Sequence, residues 1–153
     1  MPVSRICAFL PFAAAAVWAA VTDLTDTAWR SDLAGVETLP DGRFVEYARG
    51  GAATEFTVTA CVPCRRWEFD LKNRNLTGHW TGLFEPETGG VRITFVERVA
   101  LRRRWMTPLA ALYLWRRQRR YLDDLRKKLA RTGAPAPGVC QRRREEEHGT
   151  ETR

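Results

Sequence analysis

The chain has 153 residues, 44% of them hydrophobic and 28% charged, enough for one core and too few for two comfortable ones, and this balance excludes a wholly disordered or membrane-embedded chain. Its net charge of +7 could attract phosphates or anionic lipid. The excess is local, however, concentrated at Arg102 to Arg104, Arg116 to Arg120 and Arg126 to Lys128, and no specific nucleic-acid partner is expected.

In chain order, the first feature is an alanine-rich apolar run from Ile6 to Val21 behind Arg5. Its charge and length are those of a secretory signal. Pro11 divides it into a strand-like Ser4 to Leu10 and a helix-like Ala13 to Thr22 packed by Trp18, so the segment is expected to be retained as part of a domain. Asp23 to Arg30 continues as a second short helix or turn. The run is shorter than the roughly 18 to 20 residues of a membrane span, and the expected location is cytoplasmic.

Strands follow one another. Gly35 to Leu39 and Arg43 to Ala48 flank the turn signature Pro40-Asp41-Gly42. After Arg49-Gly50-Gly51, Phe56, Val58 and Ala60 alternate with Glu55, Thr57 and Thr59, the pattern of a half-buried strand. Trp67, Phe69 and Leu71 then alternate with Arg66, Glu68 and Asp70. Leu76 to Glu85 and Gly90 to Leu101 are joined by Pro86-Glu87-Thr88-Gly89, and Val91, Ile93, Phe95, Glu97 and Val99 share one face of the last strand.

From Trp105 the period becomes helical, with Pro108 in the first turn. Leu114, Gln118, Tyr121, Leu122, Leu125 and Leu129 form a stripe, and Arg117, Arg120, Asp124 and Lys127 occupy much of the opposite side. The stripe requires a partner as long as the helix, which only the sheet supplies. Residues 1–131 therefore read as one domain, and 132–153, rich in glycine, proline and charge, as a disordered tail.

Cys61 and Cys64 form a C-V-P-C pair resembling half a zinc site or a redox dithiol. No second pair exists, His79 and His148 stand apart, and Pro63 suggests a turn between strands, so neither metal nor cofactor is expected.

Several local motifs in this order resemble the SRPBCC superfamily, the START-like, polyketide cyclase/dehydrase type. Pro11 followed by Val17-Trp18-Ala19-Ala20-Val21-Thr22-Asp23-Leu24 resembles its first strand-to-helix passage. Trp29 with Val36-Glu37-Thr38-Leu39, Phe84-Glu85-Pro86 with Gly90-Val91-Arg92-Ile93-Thr94-Phe95, and Arg119-Arg120-Tyr121-Leu122-Asp123-Asp124-Leu125 resemble its second strand, closing hairpin and terminal helix. The resemblance spans roughly residues 3 to 131. It departs at Val91, where threonine is common, and at Cys61 and Cys64. It implies an α+β helix-grip fold: a seven-stranded curved antiparallel sheet around a long C-terminal helix, with two short helices after the first strand. Members bind lipids, sterols, polyketides or plant hormones, and a minority are enzymes.

The expected cavity is lined by Phe56, Val58, Trp67, Phe69, Trp80, Phe84, Ile93 and Phe95 from the strands and by Leu114 and Tyr121 from the helix, with Glu97 and Tyr121 as polar groups. Tyr47 is a further hydroxyl candidate. His79 is expected to point outward, opposite in parity to Trp80. Glu97 could serve a cyclase or dehydratase as acid or base, or simply pair with an arginine at the mouth. The expected function is non-catalytic binding of a small hydrophobic molecule, with a catalytic reading as the alternative and contact with an anionic membrane or acidic partner through the basic helix face as a third. Fold restricts the ligand class without fixing the chemistry.

Overall fold

The computed structural model describes residues 1–132. Seven strands form one antiparallel sheet: β1 (Val3–Leu10), β2 (Leu33–Leu39), β3 (Arg43–Ala48), β4 (Ala53–Val62), β5 (Arg66–Lys72), β6 (Leu76–Glu87) and β7 (Gly90–Leu101). Strands β2 to β7 are a meander, and β1 closes the order by pairing with β7, giving β1-β7-β6-β5-β4-β3-β2. Helix α1 (Ala14–Thr22) lies between β1 and β2, and a single 3-10 turn, Arg104–Met106, leads into α2 (Thr107–Arg131). The expected tail lies outside the described residues, apart from Thr132.

Alternation sets the two faces of the sheet. In β5, Trp67, Phe69 and Leu71 are buried and the residues between them are not. In β7, Val91, Ile93, Phe95, Glu97 and Val99 all face the core. A bulge between Val58 and Ala60 breaks the parity of β4, so only Phe56 of that strand is fully buried. The β2–β3 turn carries Asp41 and Gly42 at positive φ, 63° and 69°, a conformation that glycine accepts freely and aspartate tolerates.

The apolar N-terminal run divides as its proline suggests: β1 is an edge strand, and α1 buries Ala14, Val17 and Val21. Trp18 packs edge-on against Phe84, with ring centroids 5.1 Å apart. Among the described residues no helix is long and apolar enough to cross a membrane.

The second short helix is absent. Residues 23–32 form turns and bends, because short polar side chains capture the backbone that a helix would need. Asp23 Oδ1 accepts bonds from the amide and the hydroxyl of Thr25 at 2.9 and 2.6 Å, and Trp29 Nε1 donates to the Asp26 carbonyl at 3.0 Å.

Helix α2 buries Leu114, Gln118, Leu122, Leu125 and Leu129, as its stripe requires, but also Asp124. Two of the residues expected on the side opposite the stripe are drawn into the protein. Asp124 accepts from the Ser31 amide at 2.8 Å and the Ser31 hydroxyl at 2.7 Å, tying α2 to the irregular segment. Arg117 is half-buried and turns toward carboxylates beneath the helix.

Candidate functional site

Between the concave face of the sheet, the end of α1, the irregular segment and α2 lies a cavity of about 70 Å³. Its apolar wall is aromatic. Phe44 and Phe56 stack at 4.8 Å, Phe69 and Trp80 stack at 4.7 Å with planes 3° apart, and Trp67, Phe95 and Tyr121 meet their neighbours edge-on or tilted. Such pairs contribute about 0.5–1.5 kcal/mol each beyond their buried area. Trp80 lies low on the sheet because Gly82, two residues on along the same face, has no side chain: a methyl group there would collide with the indole.

Seven of the expected lining residues border this space: Phe56, Trp67, Phe69, Trp80, Phe95, Glu97 and Tyr121. Four do not. Phe84 and Ile93 are directly opposed across β6 and β7 and almost completely buried, Phe84 under Trp18. Val58 precedes the β4 bulge and packs beneath the Gly42 turn. Leu114 lines a separate groove of about 240 Å³ between α2 and the ends of β2 and β3. Tyr47 is also away from the cavity, exposed, with its hydroxyl donating to Glu37 at 2.8 Å. His79 points outward as its parity suggests, with Nδ1 2.7 Å from Asp70 Oδ1.

At one end of the cavity, charges are drawn together. Arg30 donates through Nη1 to Glu46 at 2.6 Å and through Nε and Nη2 to Asp32 at 3.2 and 2.8 Å, and its guanidinium lies 4.9 Å from the Tyr121 ring centroid. Arg117 completes the cluster, 3.6 Å from Glu46, 3.9 Å from Asp32 and 3.9 Å from Glu97. Burial alone would weaken the Arg30 proton, but Glu46, Tyr121 and Asp32 more than offset that and hold it charged. Burial pushes the Asp32 carboxyl up, while Arg30 and Arg117 pull it further down, so its net displacement is below the usual range.

Glu97 differs from the other carboxylates. It sits in mid-β7, between Ser4 of β1 and Trp80 of β6, and is buried, yet among the described residues it accepts no hydrogen bond and has only Arg117 as an ion-pair partner. Burial pushes its carboxyl above the ordinary value, Arg117 and Arg30 pull it back, and Glu46 adds to the rise. With Arg30 and Arg117 positive and Asp32 and Glu46 negative, the cluster is neutral without Glu97. An ionised Glu97 is therefore its unbalanced charge. The Tyr121 hydroxyl likewise makes no hydrogen bond among the described residues, and burial raises its pKa. No fully enclosed side-chain polar atom described lacks a hydrogen-bond partner, so these oxygens, which make no hydrogen bond, touch the cavity space rather than being walled in. Gln118, the other polar group from α2, is occupied, accepting from the Ser4 hydroxyl at 2.7 Å.

Residues that periodicity missed supply most of this chemistry. Arg30 and Asp32 come from a segment without a repeat, which no pattern could place. Glu46 had a readable signal, since it shares parity with Phe44 in β3 and both are buried. Near the β4–β5 turn, Cys61 is an exposed free thiol while Cys64 is disulfide-bonded, so the C-V-P-C cysteines do not pair with each other.

Solved structures share the fold. A START superfamily protein from Mycobacterium smegmatis superposes with a TM-score of 0.78 at 8% identity, covering 85% of this chain and 98% of that one. Protein MLL2253 from Mesorhizobium loti gives 0.72 at 16% identity, over 85% and 98%. DynU16, a protein of the dynemicin biosynthetic locus, gives 0.67 at 14% identity over 88% of this chain and 49% of its own. No curated protein matches the chain in sequence. The profile of the family described as polyketide cyclase / dehydrase and lipid transport matches residues 9–130, the span from the end of β1 to the end of α2 that builds the aromatic cavity. The chain belongs to that family.

Proposed function

We propose that the domain binds a small apolar molecule bearing one polar group, the ring or chain lying against Phe56, Phe69, Trp80 and Phe95 and the polar group directed at Glu97 and Tyr121. The observation that carries this reading is that Glu97 and the Tyr121 hydroxyl, on an otherwise aromatic wall, make no hydrogen bond among the described residues, because buried polar groups are ordinarily satisfied and a ligand can supply the missing partner. A donor such as a hydroxyl fits ionised Glu97; a carbonyl fits the Tyr121 hydroxyl or protonated Glu97.

Size constrains the proposal. At about 70 Å³ the space holds a few waters or a small fragment, whereas sites for drug-sized ligands measure about 300–1,000 Å³. A larger guest requires the wall to move. Segment 23–32 is the part of the wall with no helical or strand bonding to hold it, and it is retained chiefly by Asp124, Arg30, Arg120 and the Lys128–Asp26 pair.

Native mass spectrometry and solvent extraction of protein purified from its own cells test the reading. We expect a stoichiometric apolar molecule, and an environment-sensitive dye should be displaced by it. Leu24→Trp, which fills the cavity from its edge, should abolish dye binding with little loss of fold. Absence of both molecule and dye binding would sink the proposal. A second reading, a cyclase or dehydratase with Glu97 as acid or base, is favoured by the raised pKa of that residue. It requires Glu97→Gln to bind the same molecule while losing its conversion, whereas a carrier shows no conversion at all.

A further inference from the structure

Helix α2 begins with apolar residues that nothing covers. From Arg102 to Tyr113 no residue is buried. Trp105 is 70% exposed, Leu109 64%, Tyr113 63% and Leu112 47%. Leu109, Leu112 and Tyr113 are spaced i, i+3 and i+4 and so occupy one side of the helix. That side lies opposite the Leu114, Gln118, Leu122 and Leu125 stripe buried on the protein. A clustered apolar surface of this kind marks an interaction site more often than scattered exposed residues do.

Its surroundings identify the partner. From Arg98 to Leu122 the sequence has no acidic residue. Arg102, Arg103 and Arg104 precede Trp105 and are exposed, while Arg116 continues the Leu109–Leu112–Tyr113 side one turn on and is also exposed. Arg119 lies over the exposed Trp115 ring, 4.9 Å from its centroid. Indole and leucine side chains rimmed by arginines form the pattern of a helix that lies in the interface of an anionic bilayer, apolar groups among the upper acyl carbons and guanidinium groups at the phosphates. A second copy of the chain fits poorly, because an isologous contact would place each arginine rim against its own copy.

We infer that the first turns of α2, with the preceding Arg102–Trp105 segment, form a docking surface for anionic lipid membranes. The surface is separate from the cavity and does not depend on what the cavity holds.

Co-flotation of the full chain with phosphatidylcholine–phosphatidylglycerol vesicles, and with phosphatidylcholine alone, tests this. We expect binding to the mixed vesicles, about tenfold or more weaker on phosphatidylcholine alone and comparably reduced by high salt. The triple variant Trp105→Ser, Leu109→Ser, Leu112→Ser should lose flotation while keeping its melting temperature, since all three side chains are exposed. Arg102→Gln, Arg103→Gln, Arg104→Gln should reduce binding to mixed vesicles toward the neutral-vesicle level. No flotation of the parent, or flotation unchanged by the triple variant, would overturn the inference. So would a concentration-dependent dimer, seen by sedimentation and abolished by the same three serines, in a protein that ignores vesicles.

Discussion

The two halves of α2 share one helix and use it oppositely. Beyond Trp115 the large apolar residues Leu122, Leu125 and Leu129 point into the protein, and the charged ones either face water or, like Arg117 and Asp124, are recruited to hold other parts of the fold. Before Leu114 the apolar residues point away from the protein. A helix continuing beyond its packed stripe gains no tertiary support, and short helices are marginal by themselves. The first turns persist because they extend a helix already nucleated on the sheet. The contrast teaches that an apolar period identifies a face without saying what covers it.

Substitutions can break this contrast. Leu125→Ala, at a fully buried position of the packed half, should cost about 2–5 kcal/mol in denaturant unfolding. A loss below about 1 kcal/mol would mean that the second half is not the anchored one. Next in size, Asp124→Ala removes the acceptor of two Ser31 bonds and should cost about 1–3 kcal/mol. Hydrogen exchange should quicken selectively at residues 29–31; uniform quickening would show that Asp124 supports the helix rather than the cavity wall.

A smaller effect depends on pH. Burial raises Glu97 above its ordinary value of 4.5, so the folded state holds that proton more tightly than the unfolded chain does. The associated stability is present in full below 4.5 and is lost as pH rises through the folded value. Glu97→Gln escapes that loss. Its melting temperature minus that of the parent should therefore increase from acid to neutral pH, and a flat or falling difference would show that Arg117 fully compensates the charge. The smallest effect belongs to the uncovered half, where Leu109→Ser should change stability by no more than about 0.5 kcal/mol.

Much of the fold was legible in the sequence because period-two and period-3.6 burial leave direct traces. Trp67-x-Phe69-x-Leu71 and the alternation from Val91 to Val99 locate two strands and their inner faces, and the Leu114 to Leu129 stripe locates the packed helix. The cavity's aromatic half follows from the same parity. Its polar half does not, because Arg30 and Asp32 reach it from a segment whose path is set by side-chain capture of backbone amides at Asp23 and by the grip of Asp124 on Ser31. Phe84 and Ile93 were over-assigned for a related reason. Parity says which face a residue occupies, but not whether α1 or empty space lies above it.

Gly82 has a consequence for what this interior could become. The indole of Trp80 rests in the space that a side chain at residue 82 would occupy. The depth of the chamber is therefore governed from behind its wall, by an atom that is missing. Adding one methyl at Gly82 would tip the ring upward and take room from a guest without altering any group the guest touches. In a lineage with this sheet, capacity could thus be tuned at a residue hidden beneath the ring, independently of the residues that choose which molecule is held.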